Sequence, residues 1–291
     1  MPISITNMSG PWDSPARPSA PASEPFAPES PQEDPSPHTV NRYSWFAEVY
    51  DVFGSEDFCL SMTEYLVEAA DRYGIEPGSR CLDVACGTGV ITVELARAGF
   101  EMTGLDRSRQ MLAYAKLRAR EADQNIPFIE QDMRYFSVSE PFPWIICTHD
   151  SLDHLIEEVH LNMAFQQISE ALSPGGWFMF DMNCWEGIRH LNGKTVFVEA
   201  EDRAAAYYLE SKDNRLKTSI VIFIRKPDSD LYQRFDETLY QRCYSDEQVM
   251  AALDRYGLSV REKVAVQHLK GHTFKQLWIC QSTRLPVPDV L

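Results

Sequence analysis

The chain has 291 residues, 44% of them hydrophobic, with no stretch near the roughly 20 apolar residues that a membrane span needs. Lys+Arg 27 against Asp+Glu 43 leaves a formal charge of −16, a field that repels a phosphate backbone unless a local basic stripe offsets it. Neither a membrane protein nor a nucleic-acid binder is expected.

Ten of the 18 prolines lie in the first 40 residues, among Ala, Ser and Glu. Such a segment buries too little apolar surface to offset the entropy of ordering it, so 1–40 reads as a disordered tail and 41–291 as one domain. The tail carries Asp13, Glu24, Glu29, Glu33 and Asp34 without a basic-then-apolar start, so neither a secretory nor a transit signal is expected. The seven cysteines include no Cys-x-x-Cys pair, which predicts a cytoplasmic protein with no disulfide framework and no metal site.

Tyr43, Trp45, Phe46, Tyr50 and Phe53 recur at helical spacing, a helix that either packs on the core or forms a lid over a ligand. A helix follows from Glu56 to Tyr73, then a strand from Arg80 to Ala85 that ends in a glycine turn. Helix from Ile91, strand Glu101 to Leu105, helix capped by Ser108, strand Ile126 to Glu130, strand Pro143 to Cys147, helix Glu157 to Leu172 and strand Trp177 to Met182 continue the alternation. Strands alternating with helices predict a doubly wound α/β domain with a mostly parallel sheet. From about 192 to 243 the pattern becomes period-two, an inserted antiparallel sheet. Ser245 opens a last helix, and Leu258 to Val266 and Thr273 to Cys280 complete seven strands. Arg107, Arg109, Lys116, Arg118 and Arg120 read as a solvated helix face.

The most informative segment is Asp83-Val84-Ala85-Cys86-Gly87-Thr88-Gly89 at the end of the first strand, where open parallel sheets bind ligands. Asp106 ends the next strand, placed to accept both hydroxyls of a ribose. A dinucleotide fingerprint needs a third glycine, and three residues after Gly89 stands Thr92.

These residues resemble the class I S-adenosylmethionine-dependent methyltransferases. The likeness adds Gln131-Asp132-Met133 after the third strand, Leu172-Ser173-Pro174-Gly175-Gly176 before the fifth, and the Tyr50-Asp51 pair. It implies a Rossmann-like seven-stranded sheet with S-adenosylmethionine as methyl donor. By the same likeness Tyr50, Asp83, Ala85, Gly87, Gly89, Asp106, Arg107, Asp132, Met133 and Thr148 face the donor. Met111 is either an apolar wall for adenosine or plain core.

In-line methyl transfer asks the protein to align a nucleophile, exclude water and handle a proton. His149-Asp150-Ser151-Leu152-Asp153-His154 stands where an acceptor arrives, so Tyr50, His149 and His154 are the catalytic candidates, a histidine near its ordinary pKa serving as base. His154 has the alternative of capping the next helix, and Arg242 that of a structural ion pair. The layout resembles amino-sugar and other amine N-methyltransferases, from which His149-Asp150 departs. The expectation is a small-molecule acceptor, an amine nitrogen, with no nucleic-acid or membrane partner, in a monomer or homodimer. The competing reading is a non-catalytic donor-binding scaffold of the same fold.

Overall fold

The computed structural model describes residues 50–51, 56–226 and 228–285. The expected tail, and Tyr43, Trp45, Phe46 and Phe53 of the expected lid helix, lie outside the described residues.

The described chain runs α1 (Glu56–Arg72), β1 (Arg80–Val84), α2 (Val90–Arg97), β2 (Glu101–Asp106), α3 (Arg109–Glu121), β3 (Phe128–Glu130) and β4 (Phe142–Cys147). It continues through α4 (Glu158–Ala171), β5 (Leu172–Asn183), a short α5 (Trp185–Ile188), β6 (Lys194–Ala200), β7 (Arg203–Lys212), β8 (Arg215–Arg225) and β9 (Tyr232–Arg242). It closes with α6 (Asp246–Arg255), β10 (Leu258–Leu269) and β11 (His272–Ser282). Ser108 caps α3 by accepting from Met111 N–H, and Ser245 with Gln248 forms a capping box on α6, the two starts that the sequence marks.

Seven strands form one sheet in the order β10-β11-β5-β4-β1-β2-β3. β1 to β5 are parallel, and β11 enters antiparallel to β5 with β10 as its hairpin partner. The strands are buried on both faces because their residues alternate between two cores. Leu82, Ile145, Phe178 and Trp278 pack with Phe165 of α4, while Cys81, Trp144, Met179 and Leu277 pack with Leu66 of α1 and Leu95 of α2. Each such large side chain, fully removed from water, contributes about 1.5–3 kcal/mol.

The Ser173–Gly176 turn lies inside β5 rather than before it. Phe142 faces Leu172 and Trp144 faces Trp177, so the intervening residues loop out as a bulge. Gly176 permits it, since a Cβ there stands 2.9 Å from the carbonyl oxygens of Pro143 and Ser173.

The insert is a four-stranded antiparallel meander, β6-β7-β8-β9. Its inner face, with Val198, Ala205, Ile220 and Ile222, packs on Met111 of α3 and on Tyr50, which sets the insert over the carboxyl ends of the parallel strands. Among the described residues no helix is long and apolar enough to cross a membrane.

Candidate active site

The turn after β1 holds three left-handed residues, Ala85 (φ 60), Gly87 (φ 55) and Gly89 (φ 78). The two glycines serve different ends. At Gly89 a Cβ meets Ala115 Cβ of α3 at 2.9 Å, so this glycine lets two helices approach. At Gly87 a Cβ meets nothing within 4 Å, because it projects into the cavity beside the turn. Asp106 staples the turn to β2, its carboxylate accepting from Gly87 N–H at 2.9 Å and Ser108 N–H at 2.7 Å. Burial raises its pKa against those two hydrogen bonds. Asp83 is buried behind, accepts from Thr92 Oγ1 at 2.6 Å, and is pushed by burial up to about 7.

The cavity has a volume of about 300 Å³. Of the residues that the sequence nominates, Tyr50, Ala85, Gly87, Asp106, Arg107, Met111, Asp132, Met133, His149 and His154 line it. Asp83, Gly89 and Thr148 are not among its lining residues; Thr148 is buried, and its carbonyl accepts from Ser151 Oγ at 2.7 Å. Asp132 accepts from Arg134 Nε and Nη2 at 2.9 and 2.7 Å; burial raises it, and this bidentate contact outweighs burial and lowers it. From the insert come Tyr207, Leu239 and Gln241, which close the cavity on the side away from the sheet.

On the β4 side, His149 and Asp150 are consecutive left-handed residues, φ 58 and 50. Their N–H groups both donate to the carboxylate of Asp181 on β5, at 2.5 and 2.9 Å. His149 Nδ1 shares a 2.8 Å hydrogen bond with Tyr50 Oη, and its ring lies 4.9 Å from that of Phe58. Burial lowers its pKa to about 4, with Lys275 and His154 adding to the fall and Asp150 opposing it. The expected histidine near its ordinary pKa is therefore corrected: His149 is a neutral, weak base, and His154 is lowered too, first by burial. Asp150 meets Lys275 of β11 through one oxygen and Gln241 of β9 through the other. Burial raises Asp150, yet the Lys275 ammonium brings it down to about 2.

Tyr50 reaches this turn because its neighbour is tied down. Asp51 accepts from Thr88 Oγ1 and from Arg118 Nη2, both at 2.7 Å, and Arg118 also donates to Glu56 and to the Thr88 carbonyl. The reading of Arg118 as part of a solvated face is corrected: the Tyr50–Asp51 segment covers it, and its side chain is 28% exposed.

A family profile described as a methyltransferase domain matches residues 81–176. A Geobacillus sp. (strain WCH70) protein bearing a methyltransferase name is 30% identical over 226 residues, 77% of this chain and 91% of that one. The chain belongs to the class I S-adenosylmethionine-dependent methyltransferases. The scaffold reading gives way to an enzyme. In fold, this methyltransferase is similar to an S-adenosylmethionine-dependent methyltransferase from Clostridium acetobutylicum ATCC 824 (TM-score 0.72, 24% identity, covering 82% of this chain and 98% of that one). It is also similar to a sugar N-methyltransferase from Streptoalloteichus sp ATCC 53650 (TM-score 0.66, 18% identity, 93% and 100%).

Three polar residues of this methyltransferase's site escape a motif reading: Asp181, Lys275 and Arg118. A signal exists for two. Asp181 interrupts the apolar run Trp177–Met182, and Lys275 stands in phase with the buried Leu277 and Ile279. Arg242, by contrast, takes its structural alternative, pairing with Glu158 at 3.9 Å while it donates to the Ile156 carbonyl and lies over the Tyr244 ring.

Proposed function

We propose that this methyltransferase transfers a methyl group to the amine nitrogen of a small molecule. The observation that carries the reading is a single cavity with Gly87 and Asp106 on the β2 side of β1 and, on the β4 side, a neutral His149 hydrogen-bonded to Tyr50 beneath the insert.

The residues fit the donor. Gly87 lacks the Cβ that would fill the cavity, Asp106 retains lone pairs beyond its two backbone contacts for ribose hydroxyls, and Met111 and Met133 supply apolar wall. Ala85 and Arg107 complete this side, with Asp132 toward the adenine amine. When bound, S-adenosylmethionine supplies a methyl group on a sulfonium, activated toward nucleophiles.

The chain's own residues then orient and exclude water. In this reading His149 Nδ1–H donates to Tyr50 Oη, which leaves Nε2 as an acceptor for an amine N–H and turns the nitrogen lone pair toward the methyl. A base with a pKa of about 4 does not deprotonate an alcohol, whereas a neutral amine already carries its lone pair. The amine's surplus proton leaves to solvent with the product. The enclosing insert favours an acceptor of small-molecule size, and the name of the Streptoalloteichus enzyme adds support for nitrogen.

The test has two parts. Calorimetry with S-adenosylmethionine and S-adenosylhomocysteine, with NAD as control, examines the donor. A panel of glycine, ethanolamine, benzylamine and glucosamine, each beside its hydroxyl counterpart, is then assayed for S-adenosylhomocysteine release and for a methyl gain by mass. Methylation of amines alone is expected; methylation confined to the hydroxyl compounds overturns the nitrogen assignment.

A further inference from the structure

Lys275 occupies an inward position on β11 and is 3% exposed. A buried ammonium persists where opposite charge and hydrogen bonds surround it. Its neighbours are Asp150, Asp181 (Nζ to Oδ2 3.2 Å) and the face of Phe58, 4.2 Å from the ring centroid. Asp181 is fully buried on β5, and among the described residues, apart from Lys275, its hydrogen bonds go to one place, the N–H groups of His149 and Asp150. Two successive residues with side chains hold left-handed backbone only where the surroundings over-determine it. Asp181 does so from beneath, and Lys275 ties Asp181 to the side chain of the same turn.

We propose that Lys275 and Asp181 are positioning residues for methyl transfer, fixing the His149–Asp150 turn and, through Asp150 and Gln241, the insert that faces the acceptor. Neither is among the cavity's lining residues, so both act through the turn. The inference rests on the role given above to His149.

Lys275→Met and Asp181→Asn in the full chain test it with three readouts: donor Kd by calorimetry, kcat and KM for the fastest amine of the panel, and NMR titration of the His149 ring. The ring signal is assigned by its loss in His149→Asn. The groups facing His149 are Tyr50 from the N-terminal segment, Phe58 and Cys59 from α1, Asp150 and His154 from its own turn, and Lys275 from β11. Lys275 lowers the His149 pKa and Asp150 raises it, so Lys275→Met moves the titration upward from about 4. The titration reads the Lys275 charge beside the turn, and the donor Kd, which a general loss of fold would weaken, separates positioning from stability.

The expected result is that upward move, a loss of about 100-fold in amine kcat/KM in both variants, and an unchanged donor Kd. Wild-type kcat/KM with an unmoved titration overturns the proposal, as does equal loss of donor and acceptor binding. Where Lys275→Met does not fold, Asp181→Asn, which keeps the volume and removes one acceptor, decides by kcat/KM; failure of both to fold assigns the cluster to stability alone and overturns the positioning role. His149→Asn at full activity overturns the reading of His149 itself. His149→Asn impaired, with the other two variants at full activity, overturns only the positioning. The NMR titration needs no acceptor and reads the charge that Lys275 brings to His149 even where the amine assignment fails.

Discussion

On the β2 side of the cavity the polar groups come from short stretches of chain that end strands: Ala85 to Gly87 after β1, Asp106 and Arg107 at the end of β2, Asp132 and Met133 after β3. Two carboxylates hold them through partners within a few residues or on the adjoining strand end, Asp106 accepting from Gly87 and Ser108 N–H and Asp132 from Arg134. The β4 side is assembled from segments far apart in sequence, with Tyr50, His149, Asp181, Gln241 and Lys275 meeting in one network of side chains and ions. A side built on strand ends keeps most of its geometry when a side chain other than Asp106 changes. A side built on a buried network does not, because removing one partner leaves another buried and unsatisfied. Substitutions on the two sides should therefore have different reach.

His149→Asn is expected to have the largest effect, a fall of about 100-fold in kcat with the donor Kd unchanged, measured by steady-state kinetics and calorimetry. Asparagine tolerates the left-handed backbone, so the loss reports the imidazole. The same variant changes acid stability. His149 titrates at about 4 in the folded protein, lowered first by burial, against roughly 6.5 when unfolded. Between those values the unfolded chain binds a proton that the folded chain refuses, so this residue's share of stability falls as pH drops from about 6.5 to 4. Melting temperatures across that window should drop less steeply in His149→Asn.

Asp106→Ala probes the other side. It removes the proposed ribose acceptor, and the expected cost is about 1–3 kcal/mol of donor affinity by calorimetry. It also leaves Gly87 N–H and Ser108 N–H without their partner, so Tm falls as well. The neighbouring glycines separate these two consequences. Gly89→Ala drives a methyl group against Ala115 and is expected to destabilise by about 1–3 kcal/mol, read as denaturant midpoint. Gly87→Ala meets open space, so its stability cost is only the left-handed backbone, about 1 kcal/mol, and its main effect is weaker donor binding. Equal effects at both glycines would erase the distinction between packing turn and cradle.

The difference in construction also explains what the sequence discloses. Asp83 to Gly89, Asp106 and Asp132 stand at strand ends, and strand ends are marked by apolar periodicity and glycine; the alternation that places them also predicts the seven-stranded sheet and the insert. The β4 side depends on which distant strands become neighbours. Lys275 opposes Asn183 across the β11–β5 pair and so comes beside Asp181 and Asp150, a pairing that no local pattern encodes. Arg118 reads as solvated for the same reason: its helix face is exposed until a segment 67 residues earlier in the chain lies across it.

Arg118→Met is the smallest of these perturbations and the one that most sharpens the contrast. Arg118 joins α3 to Asp51 and Glu56 in ion pairs of 2.7 and 2.9 Å, all three side chains partly open to solvent. Partly exposed pairs contribute little, so the expected loss of stability is about 1 kcal/mol or less, measured by chemical denaturation. The functional effect should exceed the stability effect. Asp51 keeps Thr88 but loses its cation, and Tyr50, one residue away, loses part of what holds its hydroxyl 2.8 Å from His149 Nδ1. The amine KM should rise several-fold and kcat should fall by less than in His149→Asn, while the donor contacts proposed at Gly87 and Asp106 stay as they are. A donor Kd that weakens in step with the amine KM would mean that Tyr50–Asp51 serves both sides of the cavity equally, and the division between a strand-end side and a networked side would have to be redrawn around this segment.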